Sequence, residues 1–133
     1  MAKSTKSELK EIISLYKKGN LGVSLNKALR LKKIEPRNVH LLNALGVIYR
    51  SLMKWDLAIL QYEKILKSDP KNATYLNNKA NVLRDCGRLK EATNIYNMAI
   101  KGRPANATYW CNLAKVLNDR YLFDKAERAA TKA

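Results

Sequence analysis

One histidine, His40, and two cysteines, Cys86 and Cys111, are the chain's candidates for covalent or acid–base chemistry. A nucleophile needs a base within hydrogen-bond reach and usually a third group that orients the base. Neither thiol shares a helical phase with the imidazole, so no Cys–His pair is predicted, and His40 reads as a groove-edge or surface residue. The chain has no glycine loop that would cradle phosphates and no Cys or His spacing typical of a metal site. No catalytic residue, cofactor or metal is therefore expected. Amides recur instead: Asn43 and Asn77 stand 34 residues apart, as do Asn78 and Asn112. Asparagine is a poor interior helix former, so its return at a fixed interval within apolar-periodic stretches asks for a reason. Its side chain both donates and accepts, and a ladder of amides can hold the peptide groups of an extended segment whatever its side chains. The alternative is that these amides bond within the scaffold or to water.

Such a ladder needs elements that repeat with it. Pro36, Pro70 and Pro104 also stand 34 residues apart, each followed two positions later by Asn38, Asn72 or Asn106. A fixed period of this length marks an array of supersecondary units. On it, Ala58, Ala92 and Ala126 share one column, Tyr62 and Tyr96 a second, and Gly46, Ala80 and Ala114 a third. Within each unit apolar residues recur at helical spacing in two blocks, as in Leu41, Leu42, Leu45, Ile48 and Tyr49 followed by Ala58, Tyr62 and Ile65. Each unit is predicted to be a helical hairpin, pairing 6–18 with 21–34, 39–52 with 55–68, 73–86 with 89–102, and 107–120 with 123–133. Gly19-Asn20 and Cys86-Gly87-Arg88 supply tight turns. Asn38, Asn72 and Asn106 are predicted N-caps, worth about 1 kcal/mol apiece, which explains the Asn-x-Thr triplets at 72 and 106 better than glycosylation does. Asp56, Glu91 and Asp124 in first turns, with Lys67 and Lys101 near helix ends, suit the helix dipole. The fourth pair is short and is expected to leave an apolar face uncovered, as in a segment of a longer polypeptide or an end that pairs with another molecule.

The formal net charge is +15, and residues 1–38 alone carry ten basic and three acidic side chains. That excess favours an acidic partner, nucleic acid or an anionic surface, or it is a solvated lysine-rich exterior that maintains solubility. A length of 133 residues and an apolar fraction of 47% suit one domain with an ordinary core. No apolar run reaches the roughly 20 residues that span a bilayer, and the start leads into a charged amphipathic stretch, not an apolar signal core. A cytoplasmic protein without a membrane partner is expected. Cys86 and Cys111 lie out of phase in neighbouring units, roughly 13 Å apart along parallel helices at the helical rise, which fits two reduced thiols.

These columns resemble the tetratricopeptide repeat. The second unit matches best, through Leu42, Leu45-Gly46, Tyr49, Ala58, Tyr62 and Pro70; the third follows with Ala80, Leu83, Gly87, Ala92, Tyr96, Ala99 and Pro104, and the fourth with Trp110, Leu113-Ala114, Leu117 and Ala126. The first departs most, with Leu15 and Ser24 in the tyrosine and alanine columns. The resemblance implies an all-α, right-handed superhelix of four helical hairpins, the last incomplete, forming a single domain over 1–133 with repeats at about 5–38, 39–72, 73–106 and 107–133. First helices line its concave groove. Helical phase assigns to that groove His40, Asn43, Ala44, Val47 and Arg50; Thr74, Asn77, Asn78, Asn81 and Arg84; and Thr108, Cys111, Asn112, Lys115 and Asn118.

The strings Asn78-Lys79-Ala80-Asn81-Val82-Leu83 and Asn112-Leu113-Ala114-Lys115-Val116-Leu117 are also similar to first helices of arrays that precede glycosyltransferase, sulfotransferase and methyltransferase domains, among them the O-linked N-acetylglucosamine transferase. There one asparagine per repeat is implied to hold the peptide backbone, a role that carries over to Asn78 and Asn112, while Arg50, Arg84 and Lys115 would favour acidic groups on the ligand. The carboxylate clamp of chaperone-binding relatives is not present: Asn43 and Val47 stand where that clamp has Lys and Asn, and Thr108 and Asn112 where it has Lys and Arg. The expectation is a non-enzymatic protein-interaction module that holds an extended, acidic peptide, as the scaffold part of a larger protein. RNA binding by the basic surface is the alternative, against which stand the 34-residue period and the lack of regularly spaced aromatics for base stacking. A further alternative is a homo-oligomer formed through the uncovered terminal hairpin or the apolar side of the first helix around Leu9, Ile12 and Ile13.

Overall fold

A computed structural model describes the backbone of residues 4–131 and the side chains of residues 4–129. Among these residues the fold is all-α, with α1 (Thr5–Lys17), α2 (Leu21–Ile34), α3 (Val39–Ser51), α4 (Trp55–Ser68), α5 (Ala73–Asp85), α6 (Leu89–Gly102) and α7 (Ala107–Thr131). The residues gather into two compact units, Met1–Pro70 and Lys71–Ala133. In the first, hairpin α1–α2 packs on hairpin α3–α4 through α2 against α3 and α1 against α3. In the second, α7 packs on α6 of hairpin α5–α6 and also touches α5.

The predicted punctuation is in place. Asn38 Oδ1 accepts from the Leu41 amide at 3.0 Å, Asn72 Oδ1 from Tyr75 at 3.2 Å and Asn106 Oδ1 from Tyr109 at 3.2 Å, so each first helix after a proline has one otherwise orphaned donor satisfied. Each hairpin turn has one residue in the left-handed region: Gly19 (φ 85°), Met53 (φ 60°) and Gly87 (φ 87°), spaced by the repeat. The following amide closes the turn onto the carbonyl five residues back: Asn20 to Leu15 at 2.9 Å, Lys54 to Tyr49 at 2.9 Å and Arg88 to Leu83 at 2.8 Å. This is the Schellman ending. Met53 fills the slot that glycine fills elsewhere, a turn residue that its side-chain type did not announce.

The core follows the columns. Ala28, Ala58, Ala80, Ala92 and Tyr96 are fully buried and Tyr62 nearly so, and Gly46 lets the Tyr62 ring lie against the α3 backbone. Ser24, in the alanine column of the first unit, is buried because its Oγ donates to the Ile12 carbonyl at 2.9 Å, which removes the cost of an unpaired hydroxyl. No described helix is long and apolar enough to cross a membrane.

The fourth hairpin differs from expectation. Where 107–120 and 123–133 should have been antiparallel, α7 is one helix of 25 residues. The left-handed slot that recurs at 19, 53 and 87 falls on Tyr121, an aromatic for which that conformation is disfavoured, and no glycine is near. The chain therefore stays helical. Asp124, expected in the first turn of a second helix, lies inside α7, and Ala114 and Ala126, expected in the core, are exposed.

Candidate functional site

In the unit Met1–Pro70, α1 and α3 lie side by side and leave a cleft of about 250 Å³ between them, lined by Ile12, Ile13, Tyr16 and Lys17 from α1 and by His40, Asn43, Ala44, Val47 and Ile48 from α3. Four residues predicted for the groove, His40, Asn43, Ala44 and Val47, thus line one surface depression. Its walls are mostly hydrocarbon, with an imidazole, an amide and an ammonium group as the polar fittings. Tyr16 OH and Ser51 Oγ join the same two helices 3.2 Å apart. Arg50 is half-buried on α3 outside the cleft lining.

In the unit Lys71–Ala133, α5 and α7 are bridged by polar bonds between residues one period plus one apart. Asn112 Nδ2 donates to Asn77 Oδ1 at 3.0 Å, and Arg84 Nε donates to Asp119 Oδ2 at 2.7 Å. A third bond fastens α5 to α6, the Tyr96 hydroxyl donating to Asn81 Oδ1 at 2.5 Å. Asn77 is buried, Asn78, Asn81, Arg84 and Asn112 are half-buried, and Thr74, Thr108, Cys111, Lys115 and Asn118 are exposed. Asn77, Asn81 and Arg84 are thereby drawn into the scaffold, and Asn112 is fixed by one amide bond. Asp119 and Tyr96 are the partners that sequence reasoning missed. The offset of 35 shared by Asn77–Asn112 and Arg84–Asp119 is a signal the sequence does carry, since neighbouring first helices bring such pairs together.

A second charged feature lies in the first unit. Lys32, Pro36, Arg37, Val39, Leu42, Lys64, Ile65, Lys67 and Ser68 line a cleft of about 680 Å³ at the ends of α2 and α4. Four cations face it and no carboxylate does. Partial burial, together with the neighbouring Lys64 ammonium, holds Lys32 below the ordinary lysine value. Among the described residues no group of three His, Cys, Asp or Glu side chains is placed to hold a metal ion.

Comparison with known proteins agrees with this architecture. Models described as "Tetratricopeptide repeat" match residues 9–73 and 61–93, and one described as "TPR repeat" matches residues 80–118. No curated protein matches the sequence. Among solved structures, the first TPR of Spaghetti (RPAP3) bound to the HSP90 peptide SRMEEVD is similar with a TM-score of 0.78 at 15% identity, over 86% of this chain and 91% of that one. MamA (MSR-1) is similar with a TM-score of 0.74 at 22% identity, over 93% and 71%. A Thermobaculum terrenum O-GlcNAc transferase mutant is similar with a TM-score of 0.73 at 23% identity, over 88% of this chain and 23% of the larger one. With three repeat models spanning 9–118, the columns buried as the repeat requires and the hairpins closed at its period, the chain belongs to the tetratricopeptide repeat family.

Proposed function

We propose that the chain is a protein-interaction module whose first-helix surfaces hold an extended, acidic segment of another protein. The observation that carries this reading is the amide pair Asn77–Asn112, joined at 3.0 Å. The bond fixes the Asn112 side chain on α7 with its Oδ1 and second N–H left for a ligand, one turn from exposed Lys115 and on the face that includes Asn78. Fixing an amide before binding lowers the ordering cost of using it. A peptide backbone offers the complementary donor and acceptor, and the net charge of +15 draws acidic segments toward the surface. The RPAP3 relative is bound to a peptide, SRMEEVD, that carries three acidic residues, although the Lys and Asn clamp expected for such ligands is absent here. Recognition would therefore rest on amides and not on a carboxylate clamp. The test is titration of the chain against an array of extended acidic peptides by fluorescence anisotropy. The double variant Asn78→Ala, Asn112→Ala is expected to weaken binding roughly tenfold, at about 0.5–1.5 kcal/mol per lost hydrogen bond; unchanged affinity removes the amides from the mechanism.

A second reading, binding of a polyanion such as RNA, is favoured by the four-cation cleft of Lys32, Arg37, Lys64 and Lys67. Filter binding at graded salt separates the two. Contact with up to four phosphates gives a slope of about −3 in log K against log salt for single strands, and no retention at low ionic strength ends this reading.

A further inference from the structure

Three columns of the repeat are buried in α3 and α5 and open in α7. They are Leu42, Leu76 and Trp110; Gly46, Ala80 and Ala114; and Tyr49, Leu83 and Leu117. In hairpins α3–α4 and α5–α6 all six residues are buried beneath the packed hairpin, Leu42 and Leu76 at 3% exposure and Leu83 at 0%. In α7 Trp110 is 51% exposed, Leu117 46% and Tyr121, one turn on, 62%. Ala114 between them is exposed as well. The helical spacing puts these four on a single stripe. The indole at its head is held by a hydrogen bond from Trp110 Nε1 to the Pro104 carbonyl at 2.7 Å. This face of α7 is the cradle of a first helix with no second helix lying in it.

The missing second helix is written in the same chain. Phe123 falls in the column of Trp55 and Leu89, and Ala126 in that of Ala58 and Ala92. Ala58 and Ala92 are 0% exposed, whereas every described side chain from Tyr121 to Ala129 is exposed. Because α7 does not turn, Ala126 lies roughly 18 Å along the axis from Ala114 at the helical rise. A straight helix cannot cover itself, so the second-helix half reaches such a cradle only on another molecule. The hinge decides between the two arrangements. Closing the hairpin at Tyr121 would force an aromatic residue into the left-handed region, and a hinge that disfavours the closed form is the condition under which chains exchange equivalent elements.

We propose that two copies of this chain exchange the halves of α7, residues 123–131 of each lying on Trp110, Ala114 and Leu117 of the other, so that the fourth hairpin is completed between chains. Half-exposed aromatic and leucine side chains contribute on the order of 100 Å² each. Two cradles and two covering helices together then bury on the order of 1,000 Å², the size at which specific interfaces begin. On one chain alone the same stripe is as large as the biggest apolar patches that monomers expose.

Sedimentation equilibrium of the full chain between about 1 and 100 μM, the range that resolves micromolar association, tests this. Wild type is expected to form a dimer. Tyr121→Gly, which restores the glycine found at 19 and 87, is expected to close the hairpin within one chain and run as a monomer. A wild-type monomer throughout, or a Tyr121→Gly variant that dimerises as tightly as wild type, overturns the proposal. A second measurement needs no hinge variant. With Cys86 and Cys111 replaced by serine, chains carrying Leu117→Cys are mixed with chains carrying Ala126→Cys and oxidised. Exchange predicts a disulfide between one chain of each kind; no such linked species, or ready closure within a single chain that carries both cysteines, refutes it.

Discussion

The Tyr62 ring lies so close over Gly46 that a β-carbon at position 46 would stand 2.6 Å from Cζ and 2.9 Å from the hydroxyl oxygen. Both residues are buried, so the ring cannot simply swing into solvent and must displace its neighbours to give way. Gly46→Ala is expected to lose about 1–3 kcal/mol through overpacking, despite the gain of up to about 1 kcal/mol that alanine brings to a helix interior. Gly22, in α2, meets nothing within 4 Å of a built β-carbon. There the same change should raise stability by about 0.5–1 kcal/mol. Urea denaturation of the two variants reads both signs.

The hairpin turns give a second pair of opposite effects. Met53 holds φ 60° with 73% of its surface exposed, so its side chain contributes little packing to offset the left-handed backbone. Met53→Gly should be more stable by about 0.5–1 kcal/mol, and Gly87→Ala less stable by about 1 kcal/mol or more. Thermal unfolding followed by circular dichroism should move in opposite directions for the two.

Gln61 is buried at 2% exposure; its Nε2 donates to the Leu57 carbonyl at 3.1 Å, while its Oε1 has no partner. A buried carbonyl oxygen without a donor costs about 1–3 kcal/mol. Gln61→Met keeps the length and removes the orphan, and a stability gain of about 1 kcal/mol is expected in chemical denaturation. A loss would mean that the amide is satisfied in solution.

Lys32 supplies the pH dependence. Burial and the adjacent Lys64 hold it below the ordinary lysine value of 10.5, so the folded chain releases this proton at lower pH than the unfolded chain does. Between those two values the unfolded state binds more protons, and stability contributed by this site rises with pH. Repulsion is at full strength below the folded value and is relieved above it. Lys32→Met should remove that alkaline rise, read as a wild-type-minus-variant difference in unfolding midpoint that climbs as pH approaches 10.5.

Much of the scaffold was legible because its signals are local and periodic. Asn38, Asn72 and Asn106 cap helices by a bond three residues long, and Gly19 and Gly87 announce turns through a backbone freedom that few other residues share. Met53 carries no such label, and its turn was inferred only from the period. The break at Tyr121 failed because the period predicts a turn wherever the array continues, while the residue at the hinge decides whether the backbone takes it. The candidate site was less legible. Helical phase groups His40, Asn43 and Val47, which line one cleft, yet it cannot say whether an amide faces a ligand or a neighbouring helix, and Asn77 and Asn81 hold α5 to α7 and α6. The four-cation cleft was invisible for a related reason: Lys32 and Lys64 are 32 residues apart, off the period that organised the reading.

Trp55 opens α4 in the unit Met1–Pro70, and Trp110 sits on α7 in the unit Lys71–Ala133, so the chain's two tryptophans are divided one to each unit. The molecule is therefore its own two-channel emitter. With Trp55 replaced by phenylalanine, the remaining tryptophan fluorescence comes from an indole half in water at the head of an open apolar stripe, whose colour follows whatever settles there.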